Sequence, residues 1–197
     1  MSTPNALCKA VAKHALHVFG GELKVQAYYN DDKSISIDLL TTLDSVHKGV
    51  KSIATVGLCE TPLLESDGQE FPTRVELCAA AMATEVYWEN ALVSAAFHIL
   101  KKQTVVMPGV VIPYVFNDYL PDPRMPHIYL TVPFVWNDAH FPELSFSNLK
   151  VNWLQCISIY EDERVFINKF GGDAFDELLS EQEINTLDRN RMPIFMV

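Results

Sequence analysis

Cys59 closes the stretch "SIATVGLC" and heads a polar loop, which makes it the best placed of four cysteines for chemistry. A nucleophilic thiol needs a helix N-terminus or a neighbouring base to lower its pKa, and the spacing assigns Cys59 no such base. Cys156 lies mid-strand among apolar neighbours, the setting of an inert core thiol. Cys8, Cys59, Cys78 and Cys156 are widely separated, without a C-x-x-C pair, so they read as free thiols in a reducing cytoplasm. His14 and His17 stand three apart and share a helical face, but a metal needs further ligands and no carboxylate completes the set. His98, near the end of an apolar helix, reads as a partly buried structural histidine. The chain has no G-x-S-x-G elbow, P-loop, G-x-G-x-x-G or H-E-x-x-H pattern. The reading is therefore not an enzyme, with no catalytic residue, no metal and no cofactor. A small thiol hydrolase built on Cys59 is the enzymatic alternative, and a structural subunit of an unrelated assembly is the third.

Other residues are suited to contact rather than catalysis. Val151, Trp153, Gln155, Ile157 and Ile159 share one face of an apolar strand, so the Gln155 amide must find a backbone partner or line a groove. Left unpaired, a buried amide costs about 1–3 kcal/mol. "DRNRMP" offers Asp188 and Arg191 for an internal ion pair, or for forked donation to a carboxylate outside. Thr55 to Thr61 runs from a strand into a loop with two prolines and an Asp-Gly turn. Taken as an edge strand, it has backbone groups free to pair with another chain. Partner contact is expected at Thr55, Gly57, Glu60, Asp67, Gln155, Asp188 and Arg191. Gly57 would let a second backbone approach closely.

The elements that must hold these residues follow from periodicity. Thr3 and Pro4 begin a helix whose Leu7, Val11, Ala15 and Val18 share a face, and Gly20-Gly21 ends it. "ELKVQAYYN" and "SISIDLLT" read as a hairpin around "NDDK", the second strand with one wet face. "GVKSIATVGLC" and "RVELCAAAM" are further strands. "TEVYWENALVSAAFHILKK" is the strongest helix, with Trp88, Leu92, Ala95, Ala96 and Ile99 at the 3.6 period. "TVVMPGVVIPYVF" is broken by Pro108, Gly109 and Pro113. "HIYLTVPFV" and "LSFSNLKVNWLQCISI" are extended, with a turn near "NDAHFPE", and two short helices close the chain. Alternating strands interrupted by a few helices, without a run of βαβ units, give an α+β fold with a mostly antiparallel sheet.

The 197 residues, 49% hydrophobic, suit one domain spanning 1–197 with a large core. With 15 Lys+Arg against 25 Asp+Glu the formal charge is −10, which disfavours nucleic acid and anionic membranes and favours a basic protein partner. The N-terminus is not a signal peptide, and no apolar run reaches the ~18 residues of a span. The expectation is a cytoplasmic protein.

The order of the pieces resembles one known family. "VNWLQCISIYEDERVFINKFGGDAFDELL" is similar to the signature of the suppressor of fused domain family: an aromatic-Leu-Gln strand, an acidic helix opening and a glycine-ended turn into a second helix. The bacterial members' Asp-x-Asn-Arg element reads here as Asp188, Arg189, Asn190, Arg191. "SIATVGLCETP" and "RVELCAA" resemble two upstream segments, with Cys59 where serine is usual. The resemblance spans roughly residues 20–192 and is to the single-domain bacterial type. It implies a twisted sheet with helices packed on it, and a protein-binding module without catalysis. In animals such a module grips a transcription-factor segment as an added strand. In bacteria it is proposed to neutralise a toxin as an immunity protein.

Overall fold

The computed structural model describes residues 5–44, 46–103, 105–136 and 141–195. Helix α1 (Ala6–Phe19) starts at Asn5, whose side chain accepts the Cys8 N–H, and stops at Gly20, whose N–H donates to Leu16. Thr3 and Pro4 lie outside the described residues. Strands β1 (Lys24–Tyr29) and β2 (Ser36–Leu43) form the expected hairpin, followed by β3 (Val50–Val56) and β4 (Arg74–Met82). After a turn at residues 84–87, α2 (Trp88–Lys102) buries Trp88, Leu92, Ala95, Ala96 and Ile99. Short β5 (Val111–Ile112), β6 (His127–Thr131), short β7 (Leu144–Ser145) and β8 (Lys150–Ile159) come next. Helices α3 (Glu161–Phe170) and α4 (Gly172–Glu181) follow.

Among the described residues the eight strands form one sheet, ordered β1-β2-β3-β4-β8-β6-β5, with β7 also on β8. Only β4 and β8 pair in parallel; their register sets Arg74 against Val151 and Cys78 against Gln155. The fold is α+β, as the alternation implies.

Because side chains alternate across a sheet, each face builds its own core. On one face α2 packs on Ile37, Leu39, Ile53, Leu77, Leu130, Leu154 and Cys156. On the other, Val11, Ala15 and Phe19 of α1 meet Leu40, Ala54, Cys78 and Trp153. Further along that second face, α3 and α4 cover Tyr129, Ile157 and Ile159 through Ile167, Phe175 and Leu179.

Two expectations are corrected here. The second face of β2 is wet only at its start: Ser36 is exposed and Asp38 half-buried, but Leu40 and Thr42 are buried on the side that α1 packs against. Strand β3 is not an edge; it lies between β2 and β4 and is buried along its whole length. The free edge falls to β1, where every residue but Tyr28 is exposed.

Candidate protein-binding surface

Strand β4 is apolar after Arg74 except for Glu76, whose side chain is fully buried. One carboxylate oxygen accepts the Thr55 hydroxyl at 2.5 Å; the other accepts the Gly57 N–H at 2.8 Å and the Cys59 N–H at 3.1 Å. Thr55 in turn accepts the Leu77 N–H at 2.8 Å. The acid thus collects the backbone donors of a chain reversing direction, a reversal made by Gly57 at φ 113°. Burial pushes the Glu76 carboxyl pKa up, and the Thr55, Cys59 and Gly57 donors pull it back. Arg74 closes the far end of the loop, donating to the carbonyls of Cys59 and Glu60 at 3.0 Å each and to Glu70 at 2.7 Å.

Between these two clamps, Glu60, Glu65, Asp67 and Glu70 stand exposed. Asp67 shapes the tip by accepting the Gln69 N–H at 2.9 Å, and Glu60 bonds the Asn5 amide of α1. The result is an acidic loop on a rigid base.

Gln155 answers the puzzle of its apolar face. Its Oε1 accepts the N–H of Phe134 at 2.9 Å and of Val135 at 3.3 Å. The buried amide therefore fixes the bend after β6, and the bend holds Val132 and Phe134 out at 61% and 51% exposure. These two side chains rim an apolar cleft of about 390 Å3 floored by Leu179 and Ile184 of the C-terminal region. Strand directions and register place the two features relative to the sheet. The end of β3, the starts of β4 and β8 and the end of β6 all face one way. The acidic loop lies past the end of β3 and the start of β4, whereas the apolar pair leaves β6 at the level of Gln155 and Cys78, midway along β8 and β4.

Asp188 and Arg191 lie at the opposite end. Arg191 forms a forked ion pair with fully buried Glu163 of α3, at 2.6 and 2.7 Å. Asp188 is not its partner; it accepts the Asn190 N–H at 2.8 Å. Glu163 also accepts N–H groups of Tyr160 and Ile194, so the unit ties the C-terminal segment to β8 and α3.

Thr55, Gly57, Gln155 and Arg191 are thus engaged inside the fold, where they position neighbouring segments. Glu60 and Asp67 alone of the expected contact residues are exposed beside the acidic loop. Sequence reading missed Glu76, Val132 and Phe134; a lone acid in an apolar strand, and a proline between two bulky apolar residues, were their signals.

The thiol chemistry considered for Cys59 finds no support in its surroundings. Cys59 is fully buried, and burial together with the adjacent Glu76 carboxylate drives its pKa far above the thiol range. Cys8 is pushed up to about 12, by burial first and by Glu60 next. His98 is exposed rather than partly buried. Among the described residues no three His, Cys, Asp or Glu side chains converge to hold a metal, and no helix is long and apolar enough to cross a membrane.

Fold and surface together define an α+β scaffold with a braced acidic loop at one sheet end and an exposed apolar pair after β6. The model of the suppressor of fused protein (SUFU) family matches residues 33–192, and the chain belongs to this family. It is 34% identical over 184 residues, 93% of this chain and 94% of the relative, to the immunity protein YqcF of Bacillus subtilis (strain 168). A suppressor of fused homologue from Neisseria gonorrhoeae FA 1090 has the same fold, with TM-score 0.71 and 12% identity over 97% of this chain and 98% of that one. The structure of a Sufu–Fu complex matches with TM-score 0.69 and 14% identity, covering 98% and 94% of the two chains. Drosophila Suppressor of Fused gives TM-score 0.63 at 14% identity, and this chain spans 52% of it.

Proposed function

We propose that this protein is an immunity protein: a cytoplasmic, single-domain, non-enzymatic module that binds a protein toxin and neutralises it. The observation that carries the reading is the 34% identity to immunity protein YqcF, extending over 93% of this chain and 94% of that one. A family fold also seen in a complex with another protein, Sufu with Fu, supports a protein partner. The contact surface in this reading takes in the acidic loop and the exposed apolar pair described above. Glu60, Glu65 and Asp67 meet basic groups of the toxin, and Val132 and Phe134 supply the desolvated centre. With a formal charge of −10, the protein suits a basic target, such as a nuclease groove built for phosphate.

The test is co-expression with the toxic domain of a secreted multidomain protein encoded beside its gene. Restored growth, with a stoichiometric complex on gel filtration, is expected. Continued killing by that toxin, with both proteins folded and expressed, would overturn the reading.

A further inference from the structure

Strand β1 ends the sheet and is exposed at all but one of its residues. Val25 and Tyr29 are 59% and 55% exposed. Helix α2 packs on β2, β3 and β4 but stops short of β1, leaving about 830 Å3 open beneath Lys24, Gln26 and Tyr28. Natural sheet edges are usually protected by proline, bulges or inward charges. This edge has no proline and one charged residue, Lys24, at its end.

The register shows which backbone groups are free. Asn30 donates its N–H to Ile35 directly opposite, at 3.1 Å, and the pairing runs on through Tyr29 and Ser36. Bonded and non-bonded pairs alternate in an antiparallel ladder. Tyr28, Gln26 and Lys24 therefore spend their backbone groups on β2, and Val25, Ala27 and Tyr29 turn theirs outward. These three also share one face of the strand.

We propose that the free edge of β1 pairs antiparallel with the same edge of a second copy of this chain, about a two-fold axis through Ala27. The edge complements itself in that register. Small Ala27 meets Ala27 at the axis, and Val25 lies opposite Tyr29 of the second copy, twice, as a β-branched–aromatic pair. Lys24 falls opposite Asn30 of the second copy, beside Asp31 and Asp32 of its turn, so opposite charges meet at both ends. The isologous contact is the one a closed dimer requires. Six residues of edge form less than a standard interface of ~1,600 Å2, so the dimer is weak, with a dissociation constant in the micromolar range.

Sedimentation equilibrium of the full chain from about 1 µM to about 500 µM spans that range. A reversible monomer–dimer equilibrium is expected, shifted at least tenfold toward monomer in Val25→Lys with an unchanged circular dichroism spectrum. Register is read separately by cross-linking. Ala27→Cys places two sulfurs across the axis within the Cα separation of a disulfide. It is expected to form covalent dimer at least tenfold faster than Val25→Cys under mild oxidation. A wild type that stays monomeric at every concentration overturns the proposal and leaves the edge to another protein. Equal cross-linking of the two variants, or a dimer indifferent to Val25→Lys, overturns it as well.

Discussion

At the scale of single residues, buried polar groups act as braces and the surface depends on them. Glu76 binds three donors from a chain segment 17 to 21 residues earlier. Its replacement by alanine strands the Thr55 hydroxyl and two N–H groups, and we expect Glu76→Ala to cost about 3 kcal/mol in urea unfolding. An unchanged midpoint would mean that the loop is not hung on this acid. Trp153, at 3% exposure against α1, carries the larger apolar load, and Trp153→Ala should cost about 3–5 kcal/mol by the same assay. A third prediction concerns His127, fully buried with Nδ1 accepting the Tyr114 N–H and Nε2 donating to Glu161 at 2.6 Å. Burial lowers its pKa below the ordinary 6.5, and Glu161 opposes that shift without reversing it. Below pH 6.5 the unfolded chain takes up a proton that folded His127 refuses, so stability falls as pH falls. The urea midpoint measured from pH 7 to pH 5 should decline less steeply in His127→Gln. Half-buried His14, also lowered by burial, keeps part of the slope. Trp153 and the need of Gln155 for a partner were legible from strand alternation. The identity of that partner was not, because Phe134 lies 21 residues away in a segment with no period of its own.

At the scale of elements, local pattern and long-range pairing separate cleanly. The hairpin, α2 and the two closing helices are written in periodicity and glycine stops, and they form close to where the pattern puts them, α2 starting at Trp88 rather than Thr84. Which strand is an edge is not a local property. β3 carries Lys51, Ser52 and Thr55, polar enough for a half-exposed strand, yet α1 and α2 bury both its faces and β2 and β4 take both its edges. The expected edge at this loop is therefore absent: its backbone edge is occupied, and its acids are what remain exposed. Element packing also sets a steric limit that no pattern announces. The N-terminus of α4 sits so close to the Gly109 loop that a Cβ on Gly172 would lie 2.4 Å from the Gly109 Cα and 2.9 Å from the Tyr129 hydroxyl. That hydroxyl also donates to the Gly172 carbonyl at 3.2 Å. Gly172→Ala should force α4 off β6, lower the thermal midpoint and speed amide exchange in 172–181. Exchange matching the wild type would show that the loop yields without loss.

At the scale of the whole molecule, charge and apolar surface act on association in different ways. Net charge of −10 produces a long-range field, whereas Val132 and Phe134 act only on contact. Complementary fields chiefly raise the rate of encounter, and salt shortens their reach from ~10 Å at 0.1 M to ~3 Å at 1 M. Desolvated apolar contacts persist in salt and govern dissociation. For a toxin bound by the acidic sheet end, k_on should fall steeply with ionic strength and k_off should change little. The two halves of the surface should also separate genetically. Glu65→Lys with Asp67→Lys would cut k_on several-fold at low salt and flatten its salt dependence. Phe134→Ala would leave k_on and its salt slope in place and raise k_off by at least tenfold, the effect of losing a central aromatic anchor. Stopped-flow association and dissociation at four ionic strengths distinguish these cases. A flat k_on for the wild type would reduce the acidity to a solubility feature. Phe134→Ala with unaltered k_off would move the apolar centre of the complex away from the bend that Gln155 holds.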